Sequence, residues 1–312
     1  MKKQYLFGPV PSRRLGLSLG IDLVPFKTCS LNCIYCECGR TTDLTMTRKE
    51  YVPVAAVLAE LDHYLKDGPE LDFITFAGSG EPMLHEHIDR VVDHIKDRYP
   101  QYPLCLLTNG TLFSSAHLRD QINLIDLIVP SLDAASEGVF RQLNRPHPNL
   151  NCKDVISGLV SLRHEYRGEI CMEVFIVPGL NDTDGELEAI KKALEKINPD
   201  RIQLGTLDRP GAEAWVKGAA PNRMVEIAEH LGCEAELIEE EPSLSKTPAF
   251  DTGYADTILQ TLRRRPCTVE DLSRIIGVRP AEVQKYLRQL LSAGLVEMER
   301  QKRGIFIRIK GH

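Results

Sequence analysis

The sequence predicts an α/β protein built on a parallel sheet, and three observations carry that reading. Six short β-rich runs recur, at residues 17–24, 71–77, 103–108, 124–132, 169–177 and 201–207. Most are continuous apolar stretches, as expected of strands covered on both faces. Amphipathic helical patterns separate them, at residues 54–66, 85–98, 115–121, 153–165, 184–196 and 222–231. Such repetition implies right-handed crossovers, with the functional loops past the C-terminal strand ends. Six units fall short of an eightfold barrel, so an incomplete (β/α)6 barrel and an open doubly wound sheet both satisfy the pattern.

Local signals support these elements. Gly68-Pro69, Pro100 and Pro199 stop helical stretches, and Asp182-Thr183 before Glu186 suits a helix start. After Leu231 the texture changes: residues 233–241 carry five glutamates, and residues 242–253 are rich in Pro, Ser and Thr and read as a linker. Helices follow at 254–265, 269–276 and 280–293. Thr268 and Asp271 form a capping box for the second, and Pro280 suits the first turn of the third. There Val283, Tyr286, Leu287, Leu290 and Leu291 make one apolar stripe, ended by Gly294. Runs at 295–299 and 305–309, joined by a polar turn, read as a hairpin with Val296 and Met298 on one strand and Ile305, Ile307 and Ile309 on the other. Three helices and a hairpin resemble a winged helix-turn-helix. The expected divisions are 1–236 (barrel), 237–253 (linker) and 254–312 (winged helix).

The chain has 312 residues, 43% apolar and 26% charged, an ordinary globular mix long enough to bury a core without staples. No apolar stretch has the length of a membrane span, and the N-terminal run has no h-region, so a cytoplasmic protein with no membrane partner is the default expectation. The net charge of −6 conceals a division: residues 254–312 hold 12 basic and 6 acidic side chains, and the rest of the chain is net acidic.

Nine cysteines in a chain without an export signal argue against a disulfide framework. Cys105, Cys152, Cys171, Cys233 and Cys267 are dispersed and read as small hydrophobes. Cys29, Cys33, Cys36 and Cys38 cluster on a loop directly after the first predicted strand. Thiolates bind zinc and iron–sulfur clusters. Three, at spacings of four and three, suit one cubane with an iron left open; a zinc site or an electron-transfer cluster with Cys38 as fourth ligand also satisfies the residues.

Cys29-Ser-Leu-Asn-Cys33-Ile-Tyr35-Cys36 resembles the Cys-x3-Cys-x2-Cys signature of the radical S-adenosylmethionine (radical SAM) superfamily. That resemblance implies a partial (β/α)6 TIM-like barrel over residues 5–231, followed here by the small winged helix-turn-helix domain. It implies a [4Fe–4S] cluster on Cys29, Cys33 and Cys36, with S-adenosylmethionine (SAM) chelated on the open iron. It further implies reductive cleavage to a 5′-deoxyadenosyl radical that abstracts hydrogen from substrate, and a one-electron donor such as flavodoxin or ferredoxin. Tyr35 is expected near adenine. Gly78-Ser79-Gly80-Glu81-Pro82 resembles the family's Gly-Gly-Glu element, which binds the cofactor amino group; Ser79 replaces the second glycine. Asn109 and Ser131 with Asp133 resemble strand-end residues that contact the cofactor's ribose or carboxylate, and Arg145 an arginine that pairs with that carboxylate. Val177-Pro178-Gly179 and Gly205-Thr206-Leu207 are expected on the adenine or substrate side. The run Gly8–Gly16 and the Cys36-Glu37-Cys38 context look closest to uncharacterised radical SAM oxidoreductases related to tRNA wyosine-synthesis enzymes. The substrate and any catalytic side chain are not legible.

Other residues receive plainer readings. His85 and His87 read as an exposed helix start, His147 as a loop histidine, Trp215 as a pocket cover or a core residue, and Arg13 and Arg14 as phosphate-reaching or solvated. In the basic winged helix, Gln284, Lys285, Arg288 and Gln289 lie off the apolar stripe and face a groove, with Lys302 and Arg303 on the wing tip meeting phosphates, if the unit binds nucleic acid; a protein-binding module is the other reading. An iron–sulfur-dependent DNA-binding regulator or an electron-transfer protein, neither turning over SAM, is the alternative to the enzyme.

Overall fold

A computed structural model describes residues 5–12, 14–232, 254–301 and 303–311. The expectations placed on Arg13, Lys302, Cys233 and the linker lie outside the described residues. All six predicted strands are present, as β2 (Gly16–Ile21), β5 (Phe73–Phe76), β6 (Leu104–Thr108), β7 (Leu127–Pro130), β8 (Glu169–Ile176) and β9 (Arg201–Thr206). They run parallel in sequence order. β1 (Leu6–Ser12) adds an antiparallel edge to β2, and the seven-stranded sheet curls into part of a barrel. β3 (Thr28–Cys29) and β4 (Asp43–Leu44) form a small parallel pair beside it.

Helices α1 (Val54–Leu65), α2 (Ile88–Arg98), α3 (Ala116–Asp120), α4 (Glu137–Leu143), α5 (Cys152–Glu165), α6 (Asp184–Ile197) and α7 (Pro221–Leu231) complete the barrel unit. The main core gathers one face of each strand with the helices: Ile74 and Phe76 of β5, and Ile170, Met172, Val174 and Ile176 of β8, are all buried there. The opposite strand faces bury Cys105, Leu127, Val129 and Cys171 in a second cluster, joined by Leu15 from the turn between β1 and β2. Period-two alternation separates the layers, which is why β6 and β7 are apolar almost throughout.

Several expectations need correction. α2 begins at Ile88, not at residue 85, because Pro82–Leu84 form a 3-10 turn first. His85 is no exposed helix start: it is fully buried and its Nε2 lies 2.9 Å from the Val52 carbonyl. β7 starts at Leu127 because Leu124 stands exposed in the turn after α3. Trp215 is 57% exposed, so it is not core. Arg14 is neither solvated nor free for phosphate; it pairs with Glu173 of β8. β1 and α4 were not anticipated.

The C-terminal unit comprises α8 (Tyr254–Arg264), α9 (Val269–Ile276), α10 (Pro280–Ser292) and the hairpin β10 (Val296–Gln301) with β11 (Gly304–Ile309). It has its own core of Ile258, Leu262, Leu272, Val283, Leu287 and Ile307. The capping box at Thr268 and Asp271 forms as expected. The hairpin departs from simple alternation: Val296 is buried, but Met298 and Ile305 are exposed while Phe306 is buried.

Candidate functional site

The cysteine loop is built from both sides. On one side lies the segment closing α4. Ile34 N–H donates to the Leu143 carbonyl (3.0 Å), Asn32 N–H to that of Asn144 (2.9 Å), and His147 N–H to that of Ser30 (2.9 Å). Arg145, at the centre of this lacing, takes a left-handed backbone (φ 44°), which a non-glycine residue adopts only when its surroundings hold it there. On the other side lies the loop after β5. Lys27 N–H donates to the Ser79 carbonyl (2.9 Å) and Glu81 N–H to that of Thr28 (3.0 Å). Gly80 is required there: a Cβ would stand 2.1 Å from the Thr28 carbonyl oxygen.

Three of the four clustered thiols carry a nitrogen contact. Lys27 Nζ is 3.0 Å from Cys36 Sγ, Asn109 Nδ2 is 3.5 Å from Cys29 Sγ, and Asn144 Nδ2 is 3.4 Å from Cys33 Sγ. Burial and the nearby Glu81 carboxylate push the Cys29 thiol up to about 12. Burial, Asp133 and the neighbouring thiols raise Cys33 as well. Cys36 goes the other way, held low by a hydrogen bond from Cys38 and by the Lys27 ammonium. Burial disfavours the Lys27 charge, but Cys36 and Cys38 outweigh it and keep the amine protonated. Among the described residues, no three His, Cys, Asp or Glu side chains gather about one point as a single metal ion requires. Three thiols that sense one another, amide donors on two of the sulfurs and a buried ammonium on the third form a donor set that fits an anionic iron–sulfur cluster.

One pocket joins this loop to the strand ends. It is lined by Cys33, Tyr35, Asn109, Ser131, Asp133 and Asn144, among others. Asp133 is 3% exposed; its carboxylate accepts from Tyr35 OH, from Asn144 Nδ2 (2.9 Å) and from Phe175 N–H (2.9 Å). Burial holds that carboxyl up at about 6 against those donors. Tyr35 stacks on Phe175 with ring centroids 4.1 Å apart, which fixes its hydroxyl toward Asp133.

Not every expected residue faces this pocket. Glu81 is 2% exposed, and both its oxygens accept from within the chain: Met83 N–H (3.0 Å), Thr108 Oγ1 (2.7 Å) and Asn109 N–H (2.8 Å). It ties the ends of β5 and β6 together. Arg145 and Arg40 share Glu213, at 2.5 and 2.9 Å, and Glu213 N–H donates to the Ile34 carbonyl. Cys38 stays beside Cys36, and its Sγ also lies 2.7 Å from the carbonyl of Arg264. Lys27, Asn144, Phe175 and Glu213 escaped the sequence reading. Only Lys27, two residues before Cys29, offered a local signal; the others are joined to the loop by tertiary packing alone.

The chain matches the profile of the radical SAM superfamily over residues 23–194 and that of the bacterial regulatory protein, arsR family, over residues 257–298. It is similar to a Brachyspira hyodysenteriae protein named GTPase Obg, 33% identical over 301 residues (96% of this chain, 44% of that protein). The chain thus spans less than half the length of that relative. It is also similar to a UPF0026 protein of Helicobacter pylori, 32% identical over 289 residues (92% of each chain), and to one of Methanocaldococcus jannaschii, 32% identical over 234 residues (74% and 71%). Among solved structures it resembles a radical SAM methyltransferase from Sphaerobacter thermophilus, with a TM-score of 0.54 and 17% identity over 70% of this chain and 64% of that one. It also resembles Streptococcus suis SuiB bound to S-adenosylmethionine, with a TM-score of 0.51 and 13% identity over 68% and 46%. At such identities these two likenesses are of fold. The superfamily profile spans more than half of the chain and relatives of comparable length exceed 30% identity, so the chain belongs to the radical SAM superfamily and, within it, to the UPF0026 proteins.

Proposed function

We propose that this chain is a radical SAM enzyme in which Cys29, Cys33 and Cys36 hold a [4Fe–4S] cluster and the adjoining pocket receives S-adenosylmethionine. The observation that carries this reading is one cleft lined by Cys33, Tyr35, Asn109, Ser131 and Asp133, with Cys29 joined to it through the Asn109 amide. When bound, the reduced cluster and SAM together supply a 5′-deoxyadenosyl radical for hydrogen abstraction from substrate. The chain's own groups do the rest. Lys27 offsets thiolate charge, the Asn109 and Asn144 amides donate to sulfur, and Asp133 with Tyr35 and Ser131 presents hydrogen-bonding groups to a ribose or carboxylate. Glu81 acts by holding the Gly78–Gly80 turn against the thiol loop. Arg145 reaches a cofactor carboxylate only by leaving Glu213. A ferredoxin or flavodoxin is the fitting electron donor. The division into residues 1–236, 237–253 and 254–312 belongs to the same proposal.

The test is anaerobic reconstitution with iron and sulfide, followed by dithionite, SAM and an assay for 5′-deoxyadenosine. The wild-type chain and Cys38→Ala are expected to give the cubane absorption and product, whereas Cys29→Ala, Cys33→Ala and Cys36→Ala give neither. Loss of the cluster in Cys38→Ala returns the four-cysteine reading, and a fully loaded chain without product favours a regulator or electron carrier.

A second reading concerns the winged helix. Gln284, Lys285, Arg288 and Gln289 are all exposed on α10, which leaves its outer face open to a groove. Nucleic acid is the partner proposed for this face, and a gel shift with duplex DNA and tRNA at low and moderate salt tests it. Absence of binding at low salt leaves a protein as the partner. No helix among the described residues is long and apolar enough to cross a membrane; a cytoplasmic location belongs to the proposal.

A further inference from the structure

The curled sheet ends in two edges, β1 and β9, and the C-terminal unit meets both sides. α9 packs against β1. Past β9, the fully buried Arg209 reaches Asp271 of α9 at 2.5 Å and the Pro266 carbonyl at 3.3 Å. Arg303, in the turn of the C-terminal hairpin, bonds Asp208 and, at 2.6 Å, Asp271. Arg303 therefore faces the barrel, paired with two carboxylates, which corrects the expectation that it stands open on the wing tip.

Between these anchors lies Arg264, the last residue of α8. Its guanidinium sits over the Phe7 ring at 4.2 Å from the centroid, and its Nε lies 3.6 Å from Asp22 Oδ2. Its carbonyl receives Cys38 Sγ at 2.7 Å. Asp22 in turn braces the loop after β5: it accepts from Ser79 N–H (3.2 Å) and Ser79 Oγ (2.9 Å), and a Cβ on Gly78 would stand 2.2 Å from its carboxylate. The other oxygen, Asp22 Oδ1, is buried without a hydrogen-bond partner, so Arg264 is the positive charge that offsets this carboxylate. Removing one partner of a buried charge pair costs far more than the pair contributes, because the survivor is stranded.

We infer that the C-terminal unit is the missing wall of this partial barrel and that Arg264 is a positioning residue for both cofactor loops. Through its carbonyl it holds Cys38, two residues past Cys36. Through Asp22 it holds the Gly78–Gly80 turn. A unit that reads from sequence as a separate appendage thus completes the site from the side. The inference rests on the proposed roles of those two loops, and its first measurement does not need a bound cluster.

In the reduced, cluster-free full chain, maleimide labelling mapped by mass spectrometry gives a rate for each cysteine. Arg264→Ala keeps the carbonyl that Cys38 meets but removes the Asp22 and Phe7 contacts that seat it; it is expected to speed Cys38 labelling by roughly tenfold, as for a local opening equilibrium shifted at the end of α8, while Cys105 and Cys171 stay protected. Arg264→Lys is expected to fall between. After reconstitution, Arg264→Ala is expected to raise the KM for SAM and shift the electron paramagnetic resonance signal of the SAM-bound reduced cluster at unchanged iron content. Arg303→Ala, which loosens the wall away from Asp22 and Cys38, is expected to leave that signal in place. An unchanged Cys38 rate in Arg264→Ala overturns the inference, as does a signal that moves equally in Arg303→Ala. If Arg264→Ala also exposes Cys105, Arg264→Lys decides, and wild-type behaviour there overturns it. A chain that takes up no cluster defeats the enzyme reading instead, and the labelling rates still decide the wall.

Discussion

Single residues in this site are constrained more by backbone approach than by charge. Gly80 is the clearest case, because the obstacle to a side chain is the Thr28 carbonyl, which cannot rotate away. Gly80→Ala is expected to destabilise the chain by about 1–3 kcal/mol, in the range of an overpacked interior. It should also lower iron and sulfide uptake, since the displaced Thr28 precedes Cys29; a melting curve with an iron determination checks both. The sequence made the three cysteines and the glycine turn legible because their chemistry is local to a few positions. It did not reveal that Glu81 is taken up by Thr108 and Asn109 at the end of β6, or that Arg145 is held by Glu213 of the loop after β9, because those partners are distant in sequence. The identity of a charged residue can be read from sequence; its partner cannot.

At the scale of elements, period and capping proved sufficient where an element is long or locally signalled. The six parallel strands, α6 capped by Thr183 and α9 capped by Thr268 all follow from such signals. β1 escapes the sequence because Gly8, Pro9 and Pro11 make Leu6–Ser12 look like a turn, and α4 because its seven residues fall just short of two turns. His85 misled for another reason: the 3-10 turn at Pro82–Leu84 carries its ring inward, which no helical periodicity foretells. The capping box invites a direct measurement. Thr268→Ala removes the hydroxyl that accepts from Asp271 N–H and is expected to cost about 1 kcal/mol. Loss of α9 protection in hydrogen exchange, ahead of the barrel helices, is the expected signature.

The whole molecule is tied together by a charge network at its seam. Asp271 faces Arg209, Arg303 and, at 3.6 Å, Arg274. Burial works to raise its pKa, but Arg209 and the other partners outweigh burial and hold it below the ordinary carboxylate range. A carboxyl depressed on folding contributes stability that is fully present above the unfolded value and is lost as pH falls through the folded one. Docking of the C-terminal unit is therefore expected to hold at neutral pH and weaken only below about 4. Small-angle scattering through an acid titration checks this, and Asp271→Asn should flatten the dependence while loosening the docking at every pH.

β1 carries a further consequence. An incomplete barrel leaves a strand edge able to recruit a strand from another molecule, the usual route to edge-to-edge aggregation. β1 occupies that edge with Pro9 and Pro11, two residues with no N–H to offer a newcomer. The same prolines that hide the strand from a sequence reading make it a poor template, so this edge of the sheet is guarded both by its own residues and by α9 packed against it.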